Sequence, residues 1–385
     1  MSARNWLALI GLACAAFIFN TSEFVPIGLL TDIGADFSRT EAETGMLISV
    51  YAWMVMLLSL PLTMLFSRME MRRLLLSVIA FFTLFQGLSF LSVSYGMLMG
   101  ARIGVACTHA LFWSIIPPIA VRTVPHSHSA LALSVVVTGT SVAVIMGMPL
   151  GRAVGLLVGW RMTFLCIGLF ALLTFLFVFF TLPPLPAGKG VSIKGLPSLL
   201  QNRVLLGIYL FTLLFATGYY TAYSYVEPFL GQICGMPEGL ITATLMIFGV
   251  AGLIGSYAFS AFYARCRGRF VTLAMVGLIA ALAFMLPASQ SSPLTIALCA
   301  VWGISVTAYN IAMQSEVISA SSEDESAVAM SIYSGIFNLG IGMGALTGGA
   351  VTTHLSMSCI GFAGAVIALA GILYWLLRLK RLMVK

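Results

Sequence analysis

About a dozen apolar stretches of roughly twenty residues follow one another along the chain, and charge is crowded into the short gaps between them, on alternate sides. Runs of this length predict membrane-crossing helices; a membrane barrel would show segments of about ten alternating residues. The pattern predicts helices over 6–30, 43–66, 74–93, 97–120, 130–157, 162–182, 203–229, 238–262, 270–287, 293–318, 327–351 and 358–379, the first running outward and the rest alternating. These spans use nearly all of the 385 residues, leaving no extramembrane domain of useful size. The fold class that follows is an all-α integral membrane protein of twelve transmembrane helices.

The longest inner connection, 183–202, carries Pro183, Pro184, Pro186 and Pro197 with Lys189 and Lys194. It divides the chain into an N-terminal six-helix bundle (1–182) and a C-terminal one (203–385). The halves echo one another. A basic inner loop follows helix 2 (Arg68 to Arg73) and another follows helix 8 (Arg265 to Arg269). Glu23 and Pro26 close helix 1 as Glu227 and Pro228 close helix 7. Glycines crowd helix 5 (Gly139, Gly147, Gly151, Gly155) and helix 11 (Gly335, Gly340, Gly342, Gly344, Gly348). A parallel duplication of six-helix halves leaves such a trace.

Composition agrees. Hydrophobic residues make up 60% of the chain and charged ones 8%, against about 25% charged in a soluble globule. The net charge of +7 raises nucleic acid as a partner, but the positions of the charges exclude it. Apart from Arg39, Arg102, Arg152 and Arg161, all 19 Lys and Arg fall at the termini or in every second loop. That is the positive-inside bias of membrane proteins, and with an even number of spans it puts both termini in the cytoplasm. The seven cysteines show no CxxC and no metal spacing. The first apolar segment is too long for a signal-peptide core and reads as a permanent helix.

An ionisable group inside a span costs several kcal/mol and needs a partner or a task. The candidates are Glu23 in helix 1, one turn from Asn20; Arg102 and His109 in helix 4, on one face with Ala106 and Trp113; Arg152 in helix 5; and Glu227 and Glu316 in helices 7 and 10. Glu23 and Arg102 lie at similar depth, on the order of 10 Å below the outer surface, so an ion pair between them is sterically possible. His109 sits near mid-membrane, and imidazole exchanges a proton near neutral pH. A carboxylate whose proton affinity changes as an arginine approaches or leaves is a proton-coupling device; the alternative is a static ion pair with a satisfied core histidine. Glu316 near the inner end of helix 10 reads as structural.

Substrate contacts are expected from polar and aromatic side chains at depth. Ala216, Tyr220, Tyr223 and Glu227 run down one side of helix 7, and tyrosine offers a flat apolar body with a hydroxyl tip. Glu227 is either an interfacial carboxylate or substrate-facing. Asn310 and Gln314 share a face of helix 10, and Asn338 lies midway along helix 11 near Ser334; each either binds helix to helix or lines a wet cavity. Tyr51 and Trp53 of helix 2 point to different faces. Gly147, Pro149 and Gly151 let helix 5 pack closely and bend, which suits a hinge or gate. There is no GxxxxGK[ST] loop, no HExxH and no nucleophile–base cluster, so neither ATP-driven pumping nor an enzyme is expected.

The ordered runs FNTSEFVPIGLL (Phe19 to Leu30), RIGVACTHALFW (Arg102 to Trp113), GMPLGRAVGLLVGWRMTF (Gly147 to Phe164), YYTAYSYVEPF (Tyr219 to Phe229) and SGIFNLGIGMGAL (Ser334 to Leu346) resemble the major facilitator superfamily over essentially the full length. Within it the chain is most similar to the twelve-helix drug:proton antiporters, and among those to bacterial sugar efflux transporters of the SotB type. The resemblance implies two pseudo-symmetric six-helix bundles rocking about a central site. It matches Arg102 to the helix 4 arginine linked to proton coupling, and Gly147, Pro149 and Gly151 to the helix 5 antiporter motif. In the inner loop after helix 2, Arg68 and Arg72 match gating arginines. Thr63, Ser67 and Glu70, however, replace the usual glycine, aspartate and second glycine, so an aspartate-based latch is not expected.

The expected activity is export of sugars, sugar-like compounds or amphipathic drugs from a bacterial cytoplasm, across the inner membrane, in exchange for protons. Proton binding at Glu23, His109 or both would alternate with substrate. The set Asn20, Tyr51, Trp113, Tyr220, Tyr223, Glu227, Asn310, Gln314 and Asn338 would hold the substrate. No metal or cofactor is expected; the proton gradient drives the cycle, and one chain in lipid suffices. Proton symport for uptake and a non-transporting sensor or scaffold are the competing readings.

Overall fold

The structure, a computed structural model, describes residues 2–66, 68–187, 199, 201–321 and 326–383. Ser67, Lys189, Lys194, Pro197 and Lys385, singled out above, lie outside the described residues. Among those described, eleven helices are long and apolar enough to cross a membrane: α1 (Ala3–Gly28), α2 (Glu41–Phe66), α3 (Met71–Phe90), α4 (Tyr95–Thr123), α5 (Leu131–Val158), α6 (Trp160–Thr181), α7 (Arg203–Tyr223), the stretch Glu238–Ala283, α10 (Ser292–Ser319), α11 (Val328–His354) and α12 (Met357–Met383).

The stretch Glu238–Ala283 is two spans. Its 46 residues would make a rod of about 69 Å, more than twice the roughly 30 Å of bilayer hydrocarbon. Cys266 breaks it with φ −149° and ψ 50°. Phe259 and Phe270, on either side of the break, bring their ring centroids to 6.1 Å, where a straight helix would separate the two residues by about 16 Å. Gly255 and Gly277 both lie against the same turn of α10, at Ile304 and Ser305 respectively. The chain therefore folds back on itself, giving α8 (238–265) and α9 (267–283) and the expected count of twelve. Arg265, Arg267 and Arg269 sit at the bend.

The helices group into two compact units. One runs to Ile33 and resumes at Met54; the other takes Gly34–Trp53 with the C-terminal half. The sequence division at 183–202 leaves all of α2 with the N-terminal half, whereas contact places its first half with the second unit. Gly45 and Gly349 lie against Tyr225, Gly342 lies against the Trp53 indole, and Gln232 Nε2 donates to Glu41 Oε1 at 2.7 Å.

Glycine sets the spacing within each unit. In the first, α1 and α5 run parallel in a constant register: Gly139 meets Ala13, Gly147 meets Thr21, Gly151 meets Val25 and Gly155 meets Leu29, each so closely that a Cβ would overlap its neighbour. Close backbone approach through small residues is how helices associate in lipid, where no hydrophobic force drives them together. Pro149 lacks the N–H that would complete the preceding turn, and the helix widens into a π turn over Ala143–Gly147. Arg152 then donates to the Gly28 carbonyl, an acceptor at the end of α1 that has no partner within its helix. In the second unit α7 and α11 repeat the arrangement. Gly340, Gly344 and Gly348 meet Ala216, Tyr220 and Tyr225, and the Tyr209 and Tyr225 hydroxyls donate to the Ala329 and Ala345 carbonyls at 3.0 and 2.8 Å. The pair α1–α5 thus corresponds to α7–α11, as duplication requires.

Helix 7 departs from expectation. It ends at Tyr223, and Glu227 lies in a separate turn, Val226–Pro228, beyond a break at Tyr225 (φ −120°, ψ 16°). Pro228 cannot donate to the Ser224 carbonyl, so the helix cannot continue through it. Glu227 therefore does not extend the stripe of Tyr220 and Tyr223. The stretch between the predicted spans 6–30 and 43–66 holds a short helix, Leu30–Asp36.

A Gly151→Val substitution forces side-chain atoms into Val25 and is expected to lower stability by about 1–3 kcal/mol. Gly100→Val, where nothing lies within 4 Å of the added carbon, leaves it within about 0.5 kcal/mol. Thermal unfolding of both variants in one detergent checks the contrast.

Candidate functional site

The polar centre of the first unit is built from α1, α3 and α4. The Ser22 hydroxyl, fully buried, accepts from Gln86 Nε2 of α3 and from Arg102 Nη1 of α4, the latter at 3.2 Å. One oxygen thereby ties three helices together. Arg102 is 1% exposed, and its guanidinium lies 5.9 Å from the centre of the Phe164 ring of α6. Such burial is tolerable only because polar partners and a ring face replace water.

One residue along, Glu23 projects toward α4, and its Oε2 lies 3.5 Å from His109 Nε2. The side chains are 14% and 4% exposed. This corrects the pairing that depth alone allows: the direct ionisable partner of Glu23 is His109, while Arg102 bonds Ser22 and acts on both members of the pair through space. Trp113 stands one turn from His109 and donates its indole N–H to the same Nε2 at 2.8 Å. An indole nitrogen only donates, so Nε2 is the acceptor and the neutral ring carries its proton on Nδ1. Phe19 is sandwiched between Phe82 and Phe112, at 4.1 and 4.0 Å, which fixes the α1 turn bearing Asn20 and Glu23. Asn20 is buried, and its Nδ2 has no hydrogen-bond partner among the described residues.

The second unit holds an aromatic cluster. The rings of Tyr219 and Tyr220 are 4.4 Å apart and those of Tyr219 and Tyr223 4.8 Å. Trp302 of α10 stands 5.9 Å from both Tyr219 and Tyr223, Phe248 of α8 is 5.1 Å from Tyr223, and Phe337 of α11 is 6.2 Å from Tyr220. Tyr51 is buried on the α2 segment that groups with this unit, and Glu227 is buried beyond the α7 break. Asn338 donates to the Ser334 carbonyl of its own helix at 3.0 Å, while its Oδ1 has no partner among the described residues. Asn310 is half-buried and Gln314 exposed.

The remaining charged positions are structural ties. Glu316, expected near the interface, is buried; it accepts from the Tyr263 hydroxyl and lies 3.4 Å from Arg267 Nε. Arg72 donates to the Phe179 carbonyl at 2.6 Å, joining α3 to the end of α6, and Arg68 is exposed. Glu70 accepts from the Leu185 N–H at 2.9 Å, and Arg122 reaches the Pro186 carbonyl at 3.3 Å. Together they fasten the start of the central connection to the inner end of the first unit.

Sequence reasoning missed Ser22, Gln86, Tyr219, Phe248, Trp302 and Phe337. Gln86 was open to discovery, as an amide in the middle of an apolar run. Ser22 was not, because serine is common in membrane helices.

The sequence model of the Major Facilitator Superfamily matches residues 12–322. The chain belongs to that superfamily. Solved structures show the same fold at low identity. A bacterial homologue of the human lysosomal transporter Spinster, inward-facing and unoccupied, is similar with a TM-score of 0.81 at 16% identity, over 99% of this chain and 98% of that one. Its inward-facing, occupied form gives 0.78 at 16% identity, over 98% and 97%. The human organic anion transporter MFSD10 (TETRAN) gives 0.69 at 13% identity, over 97% and 100%. Membership of the superfamily makes the chain a secondary membrane transporter, not an enzyme.

Replacing Ser22 with alanine takes the shared acceptor from Arg102 and Gln86. Stability is expected to fall by about 1–3 kcal/mol, read as a lower unfolding midpoint in detergent.

Proposed function

We propose that this transporter exports sugars, sugar-like compounds or amphipathic drugs in exchange for protons, in the manner of the SotB-type branch of the drug:proton antiporters. The observation that carries this reading is the Glu23–His109 pair: a carboxylate and an imidazole 3.5 Å apart, nearly sealed from solvent, with a buried arginine beside them. A proton is the smallest cargo such a pair can hold, and its arrival or departure changes the charge of the site by one. A site in a low-dielectric surround responds strongly to that change.

In the first unit, Asn20 and Trp113 offer polar and aromatic contacts. Tyr220 and Tyr223, joined by Tyr219, Phe248 and Trp302, offer them in the second, with Tyr51, Glu227, Asn310, Gln314 and Asn338 as further polar groups. Flat aromatic faces with hydroxyl and indole donors suit solutes that are part apolar and part hydroxylated. In this reading Arg102 tunes the pair. Gly147, Pro149 and Gly151 allow α5 to bend as a hinge or gate during alternating access, and Arg68 and Arg72 act at the inner loop. The protein works as a monomer in a bacterial inner membrane with both termini cytoplasmic, and needs no cofactor beyond the gradient.

Purified protein in vesicles, loaded with a panel of radiolabelled sugars and antibiotics, tests this under an imposed proton gradient. Substrate is expected to move against the proton flow. Glu23→Gln is expected to reduce gradient-driven flux at least tenfold while leaving downhill exchange. No substrate movement from any of the panel, or movement in the same direction as protons, contradicts the proposal.

A further inference from the structure

His109 Nε2 serves two neighbours that demand opposite things of it. Trp113 donates an N–H into its lone pair at 2.8 Å. The Glu23 carboxylate faces the same nitrogen at 3.5 Å and pairs well only if that nitrogen itself carries a proton. Both cannot be satisfied at once. The neutral ring already holds its proton on Nδ1, so the proton that makes imidazolium must enter at Nε2, where the indole sits.

We propose that Trp113 is a lock on the proton site: while its N–H occupies Nε2, His109 stays neutral, and the imidazole takes its second proton only as the indole swings away. The new N–H then points at Glu23, and the pair becomes a charge-assisted hydrogen bond. Trp113 is thus a positioning residue acting through His109. The lock rests on the transport reading for its use. Trp113 is half-buried, which leaves part of the side chain accessible for a flat or amphipathic solute to pack against. A solute stacked there holds the indole in place and keeps the second proton out; its departure frees the indole and admits the proton. Mutual exclusion of this kind is what antiport needs, and it requires no contact between substrate and His109.

The charged groups facing the imidazole are few. Glu23 comes from α1 and Arg102 from its own helix. Among the described residues, α3 contributes the neutral Gln86, with Arg72 and Arg73 confined to its first turn. The one ionisable side chain of α5, Arg152, is turned to the Gly28 carbonyl. The Phe19 ring of α1 packs 6.2 Å from the imidazole. Trp113 is therefore the neighbour whose removal changes the hydrogen bonding of Nε2 without adding or removing a charge.

The test needs no substrate. Full-length protein with ¹⁵N-labelled histidine is placed in lipid nanodiscs and titrated, with His109→Gln used to assign the signal among the four histidines. The wild type is expected to show neutral His109 as the Nδ1–H tautomer. Trp113→Phe keeps the ring but loses the donor, and is expected to move the titration midpoint of His109 to higher pH by about one unit. A wild-type Nε2–H tautomer overturns the lock, as does an unmoved midpoint in a Trp113→Phe protein whose unfolding midpoint matches the wild type. The tautomer readout stands even if the variant fails to fold. Failure of vesicle transport with the tautomer as expected would strike the export proposal and leave the lock standing as a local property of the site.

Discussion

A charge taken out of water has to be given something in exchange, and in the first unit that constraint shapes one turn of α1. Leaving a charged side chain at the centre of a bilayer costs about 3 kcal/mol even by the lower scales. Arg102 meets the requirement through the Ser22 hydroxyl and the Phe164 ring; Glu23 lies 3.5 Å from His109 and is met by it only when the imidazole is protonated. Because Ser22 and Glu23 are neighbours on α1, the two solutions share one turn of helix. Whatever moves that turn disturbs both.

The surrounding architecture serves to hold the turn in place. Phe19 is gripped between α3 and α4 on one side, and the close glycine register with α5 fixes α1 on another. Arg152 secures the end of the helix. The second unit repeats the small-residue contact between α7 and α11 but fills the corresponding region with aromatic rings. The two units thus share the packing device and differ in chemistry: the Glu23–His109 pair beside Arg102 in one, clustered tyrosine and tryptophan faces in the other. In the export proposal, a partly apolar solute would engage the second and a proton the first.

Much of this was legible in the chain. Span number, the parallel halves and the depth of each ionisable residue follow from hydropathy and rise per residue, and the spacing of His109 and Trp113 put them on one face. What sequence could not supply is the angular direction of each side chain across helices. Depth made Glu23 and Arg102 plausible partners, yet rotation about α1 presents Ser22 to the arginine and Glu23 to the histidine. The break before Glu227 was foreshadowed by Pro228, but the tyrosine stripe was extended through it as though the proline were harmless. Ser22 and Gln86 look ordinary one at a time and acquire meaning only where they meet. The reversal at Cys266 was expected from the three arginines there; the unbroken helical pattern on either side makes them the deciding signal.

The central claim is that the Glu23–His109 pair exchanges a proton in competition with cargo. The most direct measurement is the number of protons released when a transported solute binds purified protein in weakly buffered solution at neutral pH. The account predicts measurable release by the wild type that disappears in Glu23→Gln or His109→Gln protein still able to bind the solute. Binding with no proton released by the wild type, or release unchanged in both variants, would contradict it.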